Sequence, residues 1–591
     1  MGLLTGWSEG RETRRNLTAA RRAARQAGRQ VGRAAGTPGF VLQSEPRSFG
    51  DPARGRQLLA GNLLFAGDLV TLEAEDPWSL APPSAGFDAA LQGFGWLDDL
   101  AALGGLAARA LAQRWLKGWI ATHGGADGSP RATPWQPDLA GRRLIRWVHH
   151  GPFLLAGPGR AGAEAFFAAA ATHARFLAER WPAAAPGLPR FEALTGLLYA
   201  GLSLQAMEAL VAPARAGLAR DCAGLIDTTG ALPSRNPQEL LEVLSLLTWC
   251  AAMLETAGQP PEPAIGDAIA RIVPTLKTLR HADGSLARFH GGEAAGEGAL
   301  DLALAESGVR ARPRPGQAMG FLRLSARRTT VIVDAAPPPA GPDGHASTLA
   351  FELTSARRPV IVSCGPGAAF GPEWRRAARG TAAHSTLVLA GWSSSRLSAA
   401  ARIALPEAAE PVLAERPAQV TLAREGEGHA AGAVLSHDGW ARSHGLVHIR
   451  RLELATDGRA LRGEDALMAL TTAQRNRFEA VAEMAGPEGL PFRIAFHLHP
   501  EVSARLDMSG RAVSLTLRSG EVWVLRAEGA LPALEPSVYL QPGRLRPRPC
   551  WQVVLAGHAS GPAVQIGWTL AKAQDSPVGL RDLRVAEIAG A

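Results

Sequence analysis

Two histidines stand at comparable points in the second half of the chain, each where a loop runs into an apolar stretch. His345 opens "HASTLAFEL" and His384 opens "HSTLVL". The segment between them holds "PVIVSCG", typical of a buried strand, and the basic run "EWRRAARG". Imidazoles beside arginines can bind a carboxylate, whereas two imidazoles with one oxygen donor can hold a divalent metal. We therefore predict either a carboxylate site or a metal site here, with structural imidazoles that are hydrogen-bonded within the fold as the open alternative.

The basic run supplies the groups that would contact a sugar acid. Arg375, Arg376 and Arg379 can pair with a carboxylate, and Trp374 can stack on a sugar face. We predict Arg379 and Trp374 as substrate contacts.

A second candidate set lies in "TTGALPSRNPQELLEVL". Ser234 or Asn236 can cap the helix that Pro237 opens, which is a structural role. Arg235 and Asn236 can also grip and neutralise a substrate carboxylate, if the helix end faces a cleft. Both interpretations stay open.

Further histidines occur in two short motifs. His290 precedes two glycines in "LARFHGG", which makes it a candidate cleft residue. His497 and His499 in "FHLHP" share one face of a strand, and we interpret them as structural packing because no third ligand is near.

The composition excludes several classes of protein. The four cysteines are far apart, which argues against a thiolate zinc site or a disulfide framework. The sequence contains no phosphate-binding glycine loop, no Gly-x-Ser-x-Gly and no His-Glu-x-x-His motif. Nor does it contain 18 consecutive apolar residues or the apolar core of a secretory signal.

Positive charge is concentrated at the N-terminus. The net charge is +8, and eight arginines lie between Arg11 and Arg33. This leader is typical of a solvated basic tail, although a surface helix touching anionic lipid or an arm for nucleic acid are alternatives. We expect at most a weak membrane-surface contact and no nucleic-acid partner.

The positioning elements change character along the chain. Before residue 312, apolar residues recur every three or four positions, as in Leu97, Leu100 and Leu103, which predicts consecutive helices. After "RARPRPG", apolar and polar residues alternate between turns, which predicts an antiparallel β-sandwich. We predict a basic extension over 1–53, a helical domain over 54–312 and a sandwich over 313–591.

The order of these segments resembles the heparinase II/III family of polysaccharide lyases and lyase-like proteins. The resemblance lies in "WLDDLAALGG", "SRNPQELLEVL", "RHADGSLARF", "HASTLAFEL", "RGTAAHSTLVL", "HIRRLEL", "GED" and "FHLHP", over roughly residues 55 to 570. It implies an (α/α) toroid, an incomplete helical barrel, followed by an antiparallel β-sandwich with the active cleft between them. Family enzymes cleave uronic-acid polysaccharides by β-elimination.

The resemblance assigns roles to individual positions. His345 and His384 match two family histidines, and Asp343 occupies the place of a third, catalytic one. Glu192 is the nearest polar group to the family's mid-toroid Asn/His segment, and the catalytic tyrosine has no counterpart. Elimination would then use His290, or Asp343 with His345, as the base, and Arg235 with Asn236 as the carboxylate clamp.

The resemblance also bears on cofactors and location. In metal-bearing relatives the two histidines bind a divalent ion with an aspartate, whose place is taken here by Ser363. A zinc or calcium site at His345, Ser363 and His384 is therefore the only cofactor site predicted. The family implies the cell envelope or periplasm, with the cytoplasm as the alternative because no export signal is visible.

Two functions follow from these residues. The first is a lyase that cleaves an acidic polysaccharide, with carboxylate neutralisation by arginine, asparagine and histidine. The second is an acidic-glycan-binding or envelope polysaccharide assembly protein that has lost the elimination base, which the missing tyrosine and Asp343 favour.

Overall fold

The computed structural model describes most of the chain. The described residues are 18–30, 39–73, 76–124, 133–292, 298–397, 412–425, 430–541 and 543–575. None of the helices described here is both long and apolar enough to cross a membrane.

The chain divides into two compact units. The first comprises Met1–Pro233, Glu239–Val273 and Ala303–Arg310, and the second comprises Ser234–Gln238, Pro274–Leu302 and Ala311–Ala591. Two short segments that precede residue 312 therefore group with the sheets. As a consequence, Arg235, Asn236 and His290 belong to the same unit as His345 and His384.

The first unit is mainly helical. Its helices are α1 (18–30), α2 (Pro52–Leu59), α3 (Ala85–Gln92), α4 (Gly95–Leu103), α5 (Gly105–His123), α6 (Pro137–His149), α7 (Gly151–Leu155), α8 (Gly159–Arg180), α9 (Leu188–Ser203), α10 (Val211–Gly224), α11 (Pro237–Thr256), α12 (Pro263–Leu279) and α13 (Ala299–Glu306). The ends of α11 to α13 extend into segments of the second unit. A small hairpin, β1 (Asn62–Phe65) and β2 (Asp68–Thr71), accompanies them.

An aromatic cluster fills the core of the helical unit. Five tryptophans are buried there: Trp96, Trp115, Trp119, Trp135 and Trp147. The ring of Trp119 lies 5.5 Å from that of Trp147 and 5.1 Å from that of His173, between centroids. The Arg143 guanidinium lies 4.5 Å from the Trp119 ring centroid.

Part of the arginine-rich leader is a helix that packs on the helical unit. Helix α1 buries alanines on one face, at positions 20, 23, 24 and 27, because a spacing of three and four residues repeats with the helical turn. Gln26 on this helix contacts Glu179 at 3.4 Å. Residues 1–17 and 31–38 of the leader lie outside the described residues.

The second unit is a sandwich of two antiparallel sheets. One sheet contains β11 (Val420–Glu425), β12 (Ala430–Trp440), β13 (Leu446–Ala455), β14 (Ala460–Met468), β16 (Ser503–Asp507), β17 (Ala512–Thr516), β18 (Val522–Glu528) and β21 (Ala563–Gln574). The other contains β3 (Gln317–Ala318), β4 (Phe321–Ala326), β5 (Thr329–Asp334), β6 (Phe351–Ser355), β7 (Arg358–Val362), β8 (Leu387–Leu389), β15 (Leu490–Leu498), β19 (Pro532–Tyr539) and β20 (Arg548–Ala559).

The two sheets share one apolar core. Strand order in the first is β11-β12-β13-β14-β21-β18-β17-β16, and in the second β19-β20-β15-β7-β6-β5-β4-β3, with β8 paired to β15. Inward side chains of both sheets form a single buried cluster, as expected for alternating strands. A minor pair, β9 (Arg396–Leu397) and β10 (Leu413–Glu415), and three helices complete the unit: α14 (Pro372–Ala378), α15 (Ala441–His444) and α16 (Thr472–Ala485).

Candidate functional site in the sandwich unit

Three loops of the sandwich unit bring the predicted histidines together. His345 lies between β5 and β6, His384 follows a short turn before β8, and His290 lies in the loop after α12. All three are buried, with exposed fractions of 3% or less. We call His290, His345 and His384, with Asp334 at the end of β5, the histidine cluster.

His345 and His384 contact each other directly. His345 Nδ1 lies 3.3 Å from His384 Nε2, and His384 Nδ1 lies 3.0 Å from the Ser363 hydroxyl. Burial lowers the pKa of His384 to about 3 and holds the pKa of His345 well below its ordinary value. Both imidazoles are therefore neutral at physiological pH and form a hydrogen-bonded pair.

The geometry does not fit the predicted metal set. His345 contacts Nε2 of His384, whereas Ser363 contacts Nδ1. These two nitrogens point in different directions from the imidazole ring. A single ion therefore cannot use His384 together with both neighbours. Among the residues that the structure describes, no group of three His, Cys, Asp or Glu side chains is arranged to hold a metal. Calcium would also need several oxygen ligands, which this set lacks.

Both ring nitrogens of His290 face groups within the fold. The main-chain N–H of His345 donates to His290 Nδ1 at 3.2 Å, so the neutral ring carries its proton on Nε2. Nε2 faces the Asp334 carboxylate at 3.3 Å. His290 is fully buried, and burial lowers its pKa. These contacts favour a structural role over the predicted role as elimination base.

Arg235 is likewise used within the fold. Its Nη2 forms an ion pair with Asp334 at 2.5 Å, and its guanidinium lies 4.7 Å from the Phe321 ring centroid. The other four donors bond to main-chain carbonyls, those of Met319, Gly320, Ala336 and Pro337. A guanidinium has five N–H donors, so all are occupied. These contacts favour a structural role for Arg235 over the predicted grip on a substrate carboxylate.

Asn236 adopts the structural alternative raised by its sequence. Its Oδ1 accepts a hydrogen bond from the Gln238 N–H at 2.9 Å, directly before α11. This cap satisfies one of the N–H groups that a helix leaves unpaired at its start. Gly291 lies beside it, and a Cβ there would stand 3.6 Å from Asn236 Nδ2.

An ion pair at the edge of the cluster is more accessible than the histidines. Asp343 and Arg375 are 2.7 Å apart, and their side chains are 46% and 25% exposed. Arg379 is buried and donates from Nε to the Gly344 carbonyl at 2.9 Å. Of the predicted polar groups in this unit, Arg376, Asp343 and Arg375 are thus the ones that solvent reaches most easily.

Trp374 is only partly available as a stacking surface. It is half-buried on α14 and packs against a small apolar cluster that contains Cys364, Ala378, Ala383 and Leu540. This packing explains why the sequence places an aromatic residue there. Its role as a sugar contact stays a prediction.

Glu192 belongs to the helical unit, on α9. Its carboxylate pairs with Arg142 at 2.5 Å, and only about a twelfth of its side chain is exposed. Burial raises the pKa of Glu192 to about 7, although the attraction of Arg142 opposes this shift. Glu192 is therefore a carboxyl group that can take up a proton near neutral pH.

We expect Glu192 to make the stability of the protein depend on pH. Because its native pKa lies above the ordinary 4.5, the folded state binds the proton more tightly, and stability falls as pH rises from 4.5 to about 7. Glu192→Gln should remove this loss, which amounts to roughly 3 kcal/mol. Urea unfolding at several pH values measures it.

Glu164→Gln is the matched control, since Glu164 forms an exposed pair with Arg160 on α8. A Glu192→Gln stability curve parallel to that of the wild type would contradict the prediction.

The two tyrosines of the chain lie outside the histidine cluster. Tyr199 is fully buried in α9, and burial raises its pKa. Tyr539 is also buried, with the Arg288 guanidinium 4.6 Å from its ring centroid and the His499 ring 5.1 Å away. His497 bonds to Ser537 and to the Ala382 carbonyl, in agreement with a packing role.

Asp334 is the important residue that sequence reasoning missed. Its carboxylate lies beside Arg235 and His290, and it accepts a hydrogen bond from the Ser347 hydroxyl at 2.7 Å. Arg235 and His290 hold the pKa of Asp334 far below its usual range despite complete burial. The available signal was an aspartate that ends the buried strand "TTVIVD" directly before the loop of His345.

Comparison with known proteins agrees with this architecture. Residues 308–569 match the model of the heparinase II/III-like C-terminal domain. FtsZ-localized protein C of Caulobacter vibrioides is 32% identical over 538 residues, which cover 89% of this chain and 88% of that protein.

Solved structures show the same fold. Heparinase III superposes with a TM-score of 0.67 at 12% identity, covering 92% of this chain and 89% of that one. A mutant heparan sulfate lyase from Pedobacter heparinus gives 0.57 at 12% identity, covering 89% and 83%. The predicted fold class, a helical toroid followed by an antiparallel sandwich, is confirmed. Since a relative of near-equal length and a family model agree, the chain belongs to the heparinase II/III-like family.

Proposed function

We propose that this protein binds an acidic glycan on a polysaccharide-lyase fold without cleaving it. The observation that carries the proposal is the commitment of the groups that elimination would need. His384 contacts neighbouring side chains through both ring nitrogens, His290 accepts from the His345 N–H and faces Asp334, and all five donors of Arg235 are occupied. A base must come within about 3 Å of the proton it abstracts, and these groups are buried and already in contact with neighbours in the fold.

The buried groups are also poorly suited to neutralise a uronate carboxylate. An ionised carboxylate makes the adjacent C–H weakly acidic, so the barrier falls only where donors meet the developing charge. The neutral imidazoles and the Arg235–Asp334 pair supply no unmatched positive charge. Binding needs less than elimination, because accessible cations at the surface are sufficient.

We place the glycan at α14, beside the Asp343–Arg375 pair. Arg376 on this helix is exposed, and Arg375 is partly exposed. Arginine binds carboxylate or sulfate groups with two parallel hydrogen bonds, and the net charge of +8 favours approach of a polyanion.

Binding and cleavage can be measured on the same polymers. We expect isothermal titration with heparin, alginate and chondroitin sulfate to detect binding to at least one, while absorbance detects no unsaturated product. Arg375→Ala/Arg376→Ala should weaken binding about tenfold. Arg505→Ala/Arg511→Ala, which removes equal charge from exposed positions near β16, is the control. Absence of binding to every polymer would refute the proposal.

Lyase activity is the second candidate, and Asp343 favours it. This carboxylate stands where the resemblance places a catalytic histidine, and nearly half of its side chain is exposed. Product formation that Asp343→Asn abolishes would establish Asp343 as the base and replace the binding proposal.

The relative's name supports a localisation proposal. A protein named for its localisation with FtsZ needs no elimination chemistry, and we propose that this chain is also recruited to FtsZ. Co-sedimentation of the purified chain with FtsZ polymers tests recruitment. Protease access to the tagged protein in spheroplasts distinguishes a periplasmic position, as the family implies, from a cytoplasmic one.

A further inference from the structure

A buried ion pair lies inside the sandwich, away from solvent. Arg450 on β13 and Asp465 on β14 are directly opposite each other in the strand register. Their exposed fractions are 0% and 1%. The Arg450 Nε lies 2.7 Å from Asp465 Oδ1, and Nη2 lies 3.1 Å from Oδ2, so the pair is bidentate. Such geometry fixes the orientation of the guanidinium plane.

Two further donors complete the surroundings of Asp465. His448 Nε2 lies 2.8 Å from Oδ1, and the Trp568 indole N–H donates to Oδ2 at 2.9 Å. Trp568 reaches this position because residue 463, opposite it in the register, is glycine; a Cβ there would stand 2.0 Å from the indole ring. The carboxylate is therefore held by three different side chains and cannot turn.

The remaining amino group of Arg450 points to the other sheet. Nη1 donates to the Leu349 carbonyl at 2.7 Å and to the Ser385 carbonyl at 3.0 Å. Ser385 directly follows His384, and Leu349 lies four residues after His345. One amino group thus joins the two chain segments that carry the paired histidines.

The segment at Leu349 needs such a contact. Leu349 has φ +64°, a left-handed conformation that is unfavourable for a residue with a Cβ. Its N–H donates to the Asp334 carbonyl at 2.8 Å, so both of its polar main-chain groups are engaged. The loop of His345 is therefore held from Asp334 on one side and from Arg450 on the other.

We propose that Arg450, oriented by Asp465, is a positioning residue that sets the spacing between the loops of His345 and His384. The part of this inference that concerns glycan affinity rests on the proposed function, because the proposed glycan site at α14 is attached to these loops. Arg379, at the end of α14, donates to the Gly344 carbonyl and accepts from the Ala346 N–H at 2.8 Å. A change in loop spacing would therefore reach the binding edge through main-chain contacts.

Arg450→Lys is the most informative variant, because lysine keeps the charge but loses the planar fork. We expect the ring-nitrogen NMR signals of His345 and His384, assigned with His345→Gln and His384→Gln, to shift in Arg450→Lys. The affinity for the glycan that the wild type binds should fall about tenfold. Where Arg450→Lys does not fold, Asp465→Asn serves in its place, since it keeps the volume and removes only the bidentate acceptor.

Lys572→Met is the control for a merely structural effect. Lys572 forms a buried ion pair with Glu521 at 3.0 Å in the same sandwich. The Lys572→Met variant should have a lower melting temperature, but the NMR signals of His345 and His384 should not shift. Unchanged histidine signals in both Arg450→Lys and Asp465→Asn would overturn the inference. A wild type that binds no glycan would instead sink the proposed function, while the NMR signals would still decide the positioning role.

Discussion

Replacing Arg235 with methionine is expected to lower the free energy of unfolding of the sandwich unit by about 3–5 kcal/mol. The change leaves Asp334, which is completely buried, without its main counter-charge. It also leaves four carbonyl groups without the donor that they share. Arg235→Lys should lose less, because an ammonium group keeps the charge but has three donors instead of five.

The loss should depend on pH in a defined direction. The pKa of Asp334 is held far below its usual range in the native protein, so its contribution to stability is present above about pH 4 and is lost as pH falls. In Arg235→Met, burial should raise that pKa and favour the neutral acid. The difference between variant and wild type is therefore largest near pH 7 and smaller in acid.

Chemical unfolding followed by circular dichroism measures the effect, with Arg357→Met as control. Arg357 is exposed in the turn between β6 and β7, so its replacement should cost little. If Arg235→Met and Arg357→Met were equally stable, Arg235 would not be a structural residue. The predicted role as a carboxylate clamp would then regain support.

A loss of similar size is expected in the helical unit from Trp119→Ala, again about 3–5 kcal/mol. Trp119 is fully buried at the centre of the aromatic cluster, and its indole N–H donates to Gln92 Oε1 at 2.8 Å. Its removal opens a cavity beneath Trp147 and His173. It also removes the ring beside the Arg143 guanidinium, whose pKa burial lowers to about 9.

Leu106→Ala is the matched control on the same helix, α5, because Leu106 is 81% exposed. We expect its free energy of unfolding to stay within about 0.5 kcal/mol of the wild type. Thermal and urea unfolding of both variants measure the difference. A Trp119→Ala variant as stable as Leu106→Ala would mean that the aromatic cluster contributes little to the helical unit.

The histidine cluster shows how buried polar side chains can serve the fold itself. A buried polar cluster that is fully hydrogen-bonded fixes loop geometry, and its members tolerate no substitution that leaves a partner unpaired. Arg235 and Asp334 meet this description. A role in holding the fold is therefore sufficient to account for an arginine at a position that the family resemblance associates with catalysis.

The sequence by itself determined the fold class and the local structures that depend on near neighbours. Helical spacing before residue 312 and alternation after it follow from side-chain periodicity, which is a local property of the chain. The Asn236 cap on α11 was foreseeable for the same reason, since a cap and its helix are adjacent in sequence. The burial of Tyr199 followed from the strongly apolar helix around it.

Only the tertiary structure decided what the charged and aromatic groups do. The partners of Arg235 lie 84 to 102 residues away along the chain. Arg450 reaches Leu349 across 101 residues. The local sequence around an arginine in a turn does not distinguish donors that bind a substrate from donors that bind main-chain carbonyl groups. The fold settles the question, because burial makes an unpaired charge or donor too costly and so forces each group to find a partner wherever the topology brings one.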